Sequence, residues 1–372
     1  MRHNFYFWLT LIFLLIFTAG CQSGIPPNSP VVQAAGLTPT VLPTSIVAGT
    51  TPLEIPISAP EKSLSPRNEP PARFTFPTPG PIPSSGWRPP LYPAPWALTP
   101  YDHFYFVRPI GADEVNWPEP DYRYGGTFAE LETVHSGIDI DASRGTPILA
   151  AGAGRVIWAG YGLLHNDKDV NDPYGIAVAI LHDFGYGGYR LSTVYGHMDR
   201  VDVSVGQHVE AGTPLGIIGM TGNTTGPHVH FEVRFQIGEY FTSRNPELWL
   251  VPPQGWGVLV GRLLREDSSP LYSIMVYVRN KETGQIWQVK TYGPKNVRAD
   301  DYYHENLVLS DLPAGIYEVS WTYDEKDYQV DVSIHPGASS YFYFKQGKPI
   351  STEMPSTPSP DEWLNTPTPT KK

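Results

Sequence analysis

Three short stretches of the chain place histidine where it could do chemistry. The densest is TGNTTGPHVHFEVRF at 221–235, where a cluster of turn formers gives way to alternating β-branched and aromatic residues, the signature of a turn feeding a strand. Side chains two apart on a strand share a face, so His228, His230 and Glu232 point one way and Val229, Phe231 and Val233 the other. The two imidazoles then stand roughly 6 to 7 Å apart at Cα, close enough for one to hold a metal while the other works beside it.

The second stretch is His135-Ser136-Gly137-Ile138-Asp139. A four-residue step on a helix would bring His135 and Asp139 to one face, but SGIDID is a poor helix former. On a straight strand their Cα atoms would be about 13 Å apart, too far to share a cation. The spacing therefore asks for a bend near Gly137, where a missing side chain frees the backbone. Hydrolytic zinc sites use three His and Asp/Glu ligands and keep a fourth position for water, whose pKa drops to about 7. His135, Asp139 and one histidine of the 228/230 pair supply that set. The other histidine of the pair and His197, from Tyr195-Gly196-His197-Met198, have the chemistry of a general base and acid.

The elements that must carry these residues are short strands. Apolar-alternating runs at 146–150, 154–159, 176–182, 191–196, 206–209, 214–219 and 228–235 are separated by glycine-containing turns, without any long helical pattern. This predicts an all-β, mostly antiparallel unit over residues 101–253. GTPILAAGAGRVIWAG and VGQHVEAGTPLGIIG within it have the build of tight hairpins. The polar loop between them offers Asp167, Asp169 and Asn171 at the start of a calcium-loop spacing, but Asp172 stands where that loop needs glycine and Val178 where it needs glutamate. A second series of regular strands over 257–346, including GVLVGRLL, SIMVYVRN and GIYEVSWTY, predicts a small β-sandwich.

Taken in order over about a hundred residues, His-x-x-x-Asp, Tyr-Gly-His-Met and Gly-Pro-His-Val-His-Phe-Glu resemble the LytM/lysostaphin-type (M23) zinc metallopeptidases. The resemblance implies an open antiparallel β fold with hairpins akin to biotinyl/lipoyl carriers, one Zn2+ and hydrolysis of peptide bonds in peptidoglycan stems or cross-bridges. It makes His135, Asp139 and His230 the zinc ligands, and His197 and His228 the catalytic pair. Strand alternation alone leaves open which of His228 and His230 binds the metal. Tyr124 is the nearest candidate for an oxyanion-steadying tyrosine. A non-catalytic LytM-like module that activates another wall hydrolase is the alternative, and such modules typically lose metal ligands that this chain keeps. A carrier module is disfavoured because neither hairpin tip has a lysine. The 257–346 unit resembles carboxypeptidase regulatory-like (prealbumin-like) sandwiches, with a wall or protein partner as its expected use.

The rest of the chain speaks to location. A net charge of −11 in 372 residues argues against a nucleic-acid partner. Residues 1–21 pair Arg2 with an apolar run and small residues before Cys21, the single cysteine. They have the proportions of an export signal. The small residues before Cys21 resemble a bacterial lipoprotein cleavage box, which implies a membrane anchor through acylated Cys21. Half of the 40 prolines fall between residues 22 and 100, so that stretch is expected to be a disordered tether, as is the tail from 347 to 372. Of the remaining histidines, His182 is expected on a core strand. His103, His165 and His208 are expected in solvent, and His304 and His335 have no catalytic surroundings.

Overall fold

The computed structural model describes residues 89–111, 122–127, 134–166, 168–237, 240–293 and 297–356. The export signal with Cys21, most of the tether, Asp167 and the last sixteen residues of the tail lie outside the described residues. All described residues belong to one compact unit.

Nine strands form the first sheet: β1 (Ile138–Asp141), β2 (Pro147–Leu149), β3 (Gly154–Gly160), β4 (Ile176–Tyr186), β5 (Tyr189–Val201), β6 (His208–Val209), β7 (Pro214–Ile218), β8 (His228–Ile237) and β9 (Tyr240–Arg244). Their order is β1-β8-β5-β4-β3-β6, with β7 pairing β2 and β5, and β9 pairing β8. Every pairing is antiparallel. The expected alternation of β8 holds: Val229, Phe231, Val233 and Phe235 enter the core beside Phe106 and Trp249. β1 was not foreseen as a strand. The bend stops at Gly137 and the chain then extends along β8.

β10 (Trp256–Leu264), β11 (Met275–Asn280), β12 (Ile286–Lys290), β13 (Leu307–Pro313), β14 (Gly315–Tyr323), β15 (Lys326–Ile334) and β16 (Ser339–Lys345) follow. They form a three-stranded sheet, β13-β10-β16, and a four-stranded one, β12-β11-β14-β15. Leu259 and Leu263 of β10 and Phe342 and Phe344 of β16 face Val276, Val319 and Trp321 of the four-stranded sheet. Their neighbours Val258, Val260, Val308 and Tyr341 face the other way and join the core of the first sheet. The three-stranded sheet is thus a middle layer buried on both sides, which is why GVLVGRLL is apolar without alternation. Each buried valine there contributes about 1.5 to 3 kcal/mol.

Polar contacts tie the same seam. Ser339 N donates to Asp102 Oδ1 at 2.9 Å and Trp96 Nε1 to Gly337 O at 3.0 Å, while Arg108 and Asp311 form a buried ion pair. Three expectations change here. Residues 89–100, expected in the tether, pack onto the fold, with Leu91 bridging Pro253 and Tyr92 stacked on Trp96. Residues 347–356 of the expected tail remain attached through the Tyr343–Ser351 bridge. His103, expected in solvent, is buried against Trp249 at 4.1 Å between ring centroids, because the segment that carries it packs among Tyr186, Trp249 and Tyr303 and its Nδ1 finds Tyr101 O at 2.6 Å. His165 and His208 are exposed as expected. In the polar loop, Asp172 is fully buried and accepts from the amides of Leu164, His165 and Tyr174, which shapes the loop.

His182 lies in the core as expected. Its Nδ1 is 3.1 Å from Ala153 O and its Nε2 is 2.9 Å from Thr193 Oγ1, which in turn meets the Tyr195 hydroxyl at 2.9 Å. Burial lowers its pKa from 6.5 to about 4. The unfolded chain therefore takes up this proton first, and the stability due to neutral His182 is complete above pH 6.5 and lost as pH falls toward 4. Linkage puts that loss at about 3 kcal/mol. Unfolding free energies from urea titrations between pH 7.5 and 4 should fall by that much more in the native sequence than in His182→Asn, and parallel curves would rule the assignment out.

Candidate metal centre

β1 and β8 bring the candidate ligands together through register. Asp139 pairs directly with His230, and Asp141 with His228. The bend before β1 turns His135 back over this pair, and Gly137 makes the turn possible: a Cβ there would lie 2.3 Å from Phe231 O. His135 Nε2, His230 Nδ1 and Asp139 Oδ1 form a triangle with all three sides 2.9 Å. Among the described residues this is the group of His and acidic side chains whose ligand atoms converge as a metal site would need, and all three are buried.

The outer nitrogens decide what the inner ones present. His135 Nδ1 lies 3.1 Å from Arg123 O, an acceptor only, so it carries the hydrogen and Nε2 turns a lone pair inward. His230 Nε2 lies 2.9 Å from Glu232 Oε1, so the same logic leaves a lone pair on Nδ1. Two imidazole nitrogens and a carboxylate oxygen at this distance need positive charge among them, supplied in the metal-free chain by a proton on His230 and replaceable by a cation. The crowding shows in the titrations. Burial opposes charge on both groups, yet the contacts to Asp139 and Glu232 raise His230 to about 9, and those to His135 and His230 hold Asp139 well below the usual carboxylate range. A tetrahedral ion at about 2.1 Å holds its ligands about 3.4 Å apart. The triangle fits such an ion with an opening of about half an ångström.

His197 and His228 flank the triangle, their ring centroids 4.7 Å apart. His197 stands where β5 leaves β8 at Gly196–His230 and takes up β7 at Met198–Ile218. That transfer puts it in the left-handed region at φ 60°, a conformation costly for a residue with a side chain. Its Nδ1 is held by Thr221 O at 2.8 Å, and that of His228 by Gly226 O at 2.9 Å. Each again directs Nε2 inward, and His228 Nε2 lies 3.4 Å from Asp139 Oδ2. Burial, then the neighbouring imidazoles, lowers His197 to about 3, and burial lowers His228 as well. Both rings are neutral at pH 7 and able to accept a proton.

Sequence reasoning gave Glu232 no role, though its place on the polar face of β8 was the available signal. The side chain is fully buried and takes Tyr174 Oη at 2.6 Å, Ser136 Oγ at 2.5 Å and Arg234 besides His230. Burial opposes its charge, but Arg234 and His230 outweigh that and keep it ionised. Tyr124 is occupied elsewhere: its hydroxyl bonds Ser243 O at 3.0 Å and accepts from Arg298 N at 2.9 Å. Tyr195 is core, while the Tyr174 ring lies 5.5 Å from that of His230.

An all-β sheet that gathers four imidazoles and a carboxylate at one buried point has the form of a metal-dependent hydrolase. Residues 133–242 match the family model described as Peptidase family M23. Over 128 residues, 34% of the chain, it is 37% identical to 43% of the uncharacterized lipoprotein YgeR of Escherichia coli K12. It is 35% identical over 101 residues to the DD-carboxypeptidase/endopeptidase Mpg of Neisseria meningitidis serogroup B, spanning 27% of the chain and 20% of that protein. A third relative, the murein hydrolase activator EnvC of E. coli K12, is 36% identical over 129 residues, 35% of the chain and 26% of that protein. The chain thus spans less than half the length of each of these relatives.

Proposed function

We propose that the protein is an exported zinc metalloendopeptidase that cuts peptide bonds in peptidoglycan stems or cross-bridges. The observation that carries this reading is the triangle of His135, Asp139 and His230, two imidazole lone pairs and one carboxylate oxygen at 2.9 Å. These residues would hold one Zn2+, which when bound supplies a Lewis acid and an acidified water. Glu232 and the Arg123 carbonyl keep both ligand imidazoles in the metal-binding tautomer. Neutral His197 and His228 take the proton of the attacking nucleophile and return one to the leaving amine. The side chains of His135, Asp139, His197, His228 and His230 are all buried, which strengthens each of these electrostatic contacts.

The test is digestion of purified sacculi and of defined wall peptides by the full chain, with products weighed by mass spectrometry. New amine and carboxyl termini that vanish with a chelator and return with Zn2+ are the expected result. Intact wall peptides, together with faster digestion by an added second hydrolase, would establish the activator role that the name of the EnvC relative suggests. The reading includes a membrane anchor at Cys21, for which Cys21→Ala should shift the chain from the membrane fraction to the medium.

A further inference from the structure

The second group of strands reaches the candidate ligand His135 through a short chain of buried contacts. β13 places Ser310 over Glu247, in a 3-10 turn at Pro246–Leu248. The Ser310 amide and hydroxyl both donate to Glu247 Oε2 at 2.8 Å. The same oxygen accepts from Arg123 Nη1 at 2.6 Å. The main-chain carbonyl of Arg123 then accepts from His135 Nδ1 at 3.1 Å. None of these side chains has water to turn to, since Glu247 is fully buried and Arg123 and Ser310 nearly so.

The short segment carrying Arg123 holds His135 by its backbone as well. Gly125 N donates to His135 O at 2.8 Å, and His135 N donates to Gly126 O at 2.9 Å. That segment is pressed from the sandwich side. Tyr124 accepts from Arg298 N, and a Cβ added to Gly125, at φ 75°, would lie 2.3 Å from Tyr292 Cβ. His230 is fixed within its own strand, by Glu232 two residues on. His135 lies outside any strand, and its ring is oriented by a carbonyl that the second unit holds in place.

From this we propose that Glu247 is a positioning residue, through which Ser310 of the sandwich sets the orientation of His135 and so the metal affinity of the site. The inference rests on the metal reading above. It makes the C-terminal strands part of the metal site's support.

The test uses the full chain and Zn2+ as the probe. Glu247→Gln keeps the shape and removes the charge, Ser310→Ala removes one donor, and Val319→Ala loosens the sandwich core away from the seam. Competition with a chromophoric chelator should show Zn2+ binding weakened about tenfold in Glu247→Gln and less in Ser310→Ala, the scale seen for groups that orient metal ligands. Val319→Ala should melt earlier yet bind Zn2+ like the native chain. A second readout needs no metal: exchange of the His135 Nδ1 hydrogen, followed by NMR in the metal-free chain, should quicken in both seam variants and not in Val319→Ala. Native affinity and native exchange in Glu247→Gln would overturn the proposal, with Ser310→Ala deciding if Glu247→Gln does not fold. A native chain that binds no Zn2+ would refute the metal reading, and the exchange measurement would still decide the coupling.

Discussion

Asp139→Asn is expected to lose Zn2+ binding by at least three decades and to leave wall peptides uncut. The substitution keeps the size of the side chain, so the β1–β8 pairing, which is made by backbone groups, survives. What goes is the negative charge facing two lone pairs. Near a protein surface a unit charge pair at 4 Å is worth about 4 kcal/mol, and shorter contacts are worth more, which sets three decades as the lower bound. The asparagine amide can also donate into the same lone pairs and close the site without any cation. Isothermal titration with Zn2+ and the wall-peptide assay on one preparation are the measurements. Retention of both binding and cleavage would show that the triangle is a hydrogen-bond cluster and nothing more.

His197→Ala separates chemistry from metal binding. The Zn2+ affinity should stay within a few fold of the native value, while the rate of peptide cleavage falls by 10² to 10⁴, the range for removing a positioned proton-transfer group. Burial, followed by His230 and His228, holds this ring neutral down to about pH 3. The deficit should therefore be uniform from pH 8 to pH 5, with the shape of the acid limb unchanged. The alanine also relieves little of the left-handed backbone, because that φ is imposed by the transfer of β5 from β8 to β7. A variant that cleaves at the native rate would remove His197 from the mechanism. A variant that loses Zn2+ would make it a ligand in place of a base.

Much of the site could be read locally. The three histidine motifs announced themselves by residue type, the spacing around Gly137 demanded a bend, and the strand alternation at 228–235 put both imidazoles on one face. Alternation could not rank His228 against His230, since both share that face. The resemblance ranked them, and the register, with Asp139 opposite His230, supplies a physical reason, but register depends on a strand ninety residues away. The second layer of the site escaped for a similar reason. Nothing near Arg123 announces that its carbonyl faces His135 or that its guanidinium meets Glu247, which Ser310 holds from the other side. The short gap between residues 253 and 257 has the look of a linker, and a linker implies independent domains. The contrary signal was in GVLVGRLL, where apolar residues fill both faces around the single charge of Arg262, as a strand covered on both sides requires.

β10 and β16 run parallel and side by side, from Val258–Ser339 to Leu264–Lys345, though about eighty residues separate them along the chain. Among the described residues β16 is the last strand in chain order, and it supplies one edge of the middle layer. A polypeptide stopped before Ser339 would already carry His135, Asp139, His197, His228 and His230, yet the layer behind the nine-stranded sheet would be missing that edge.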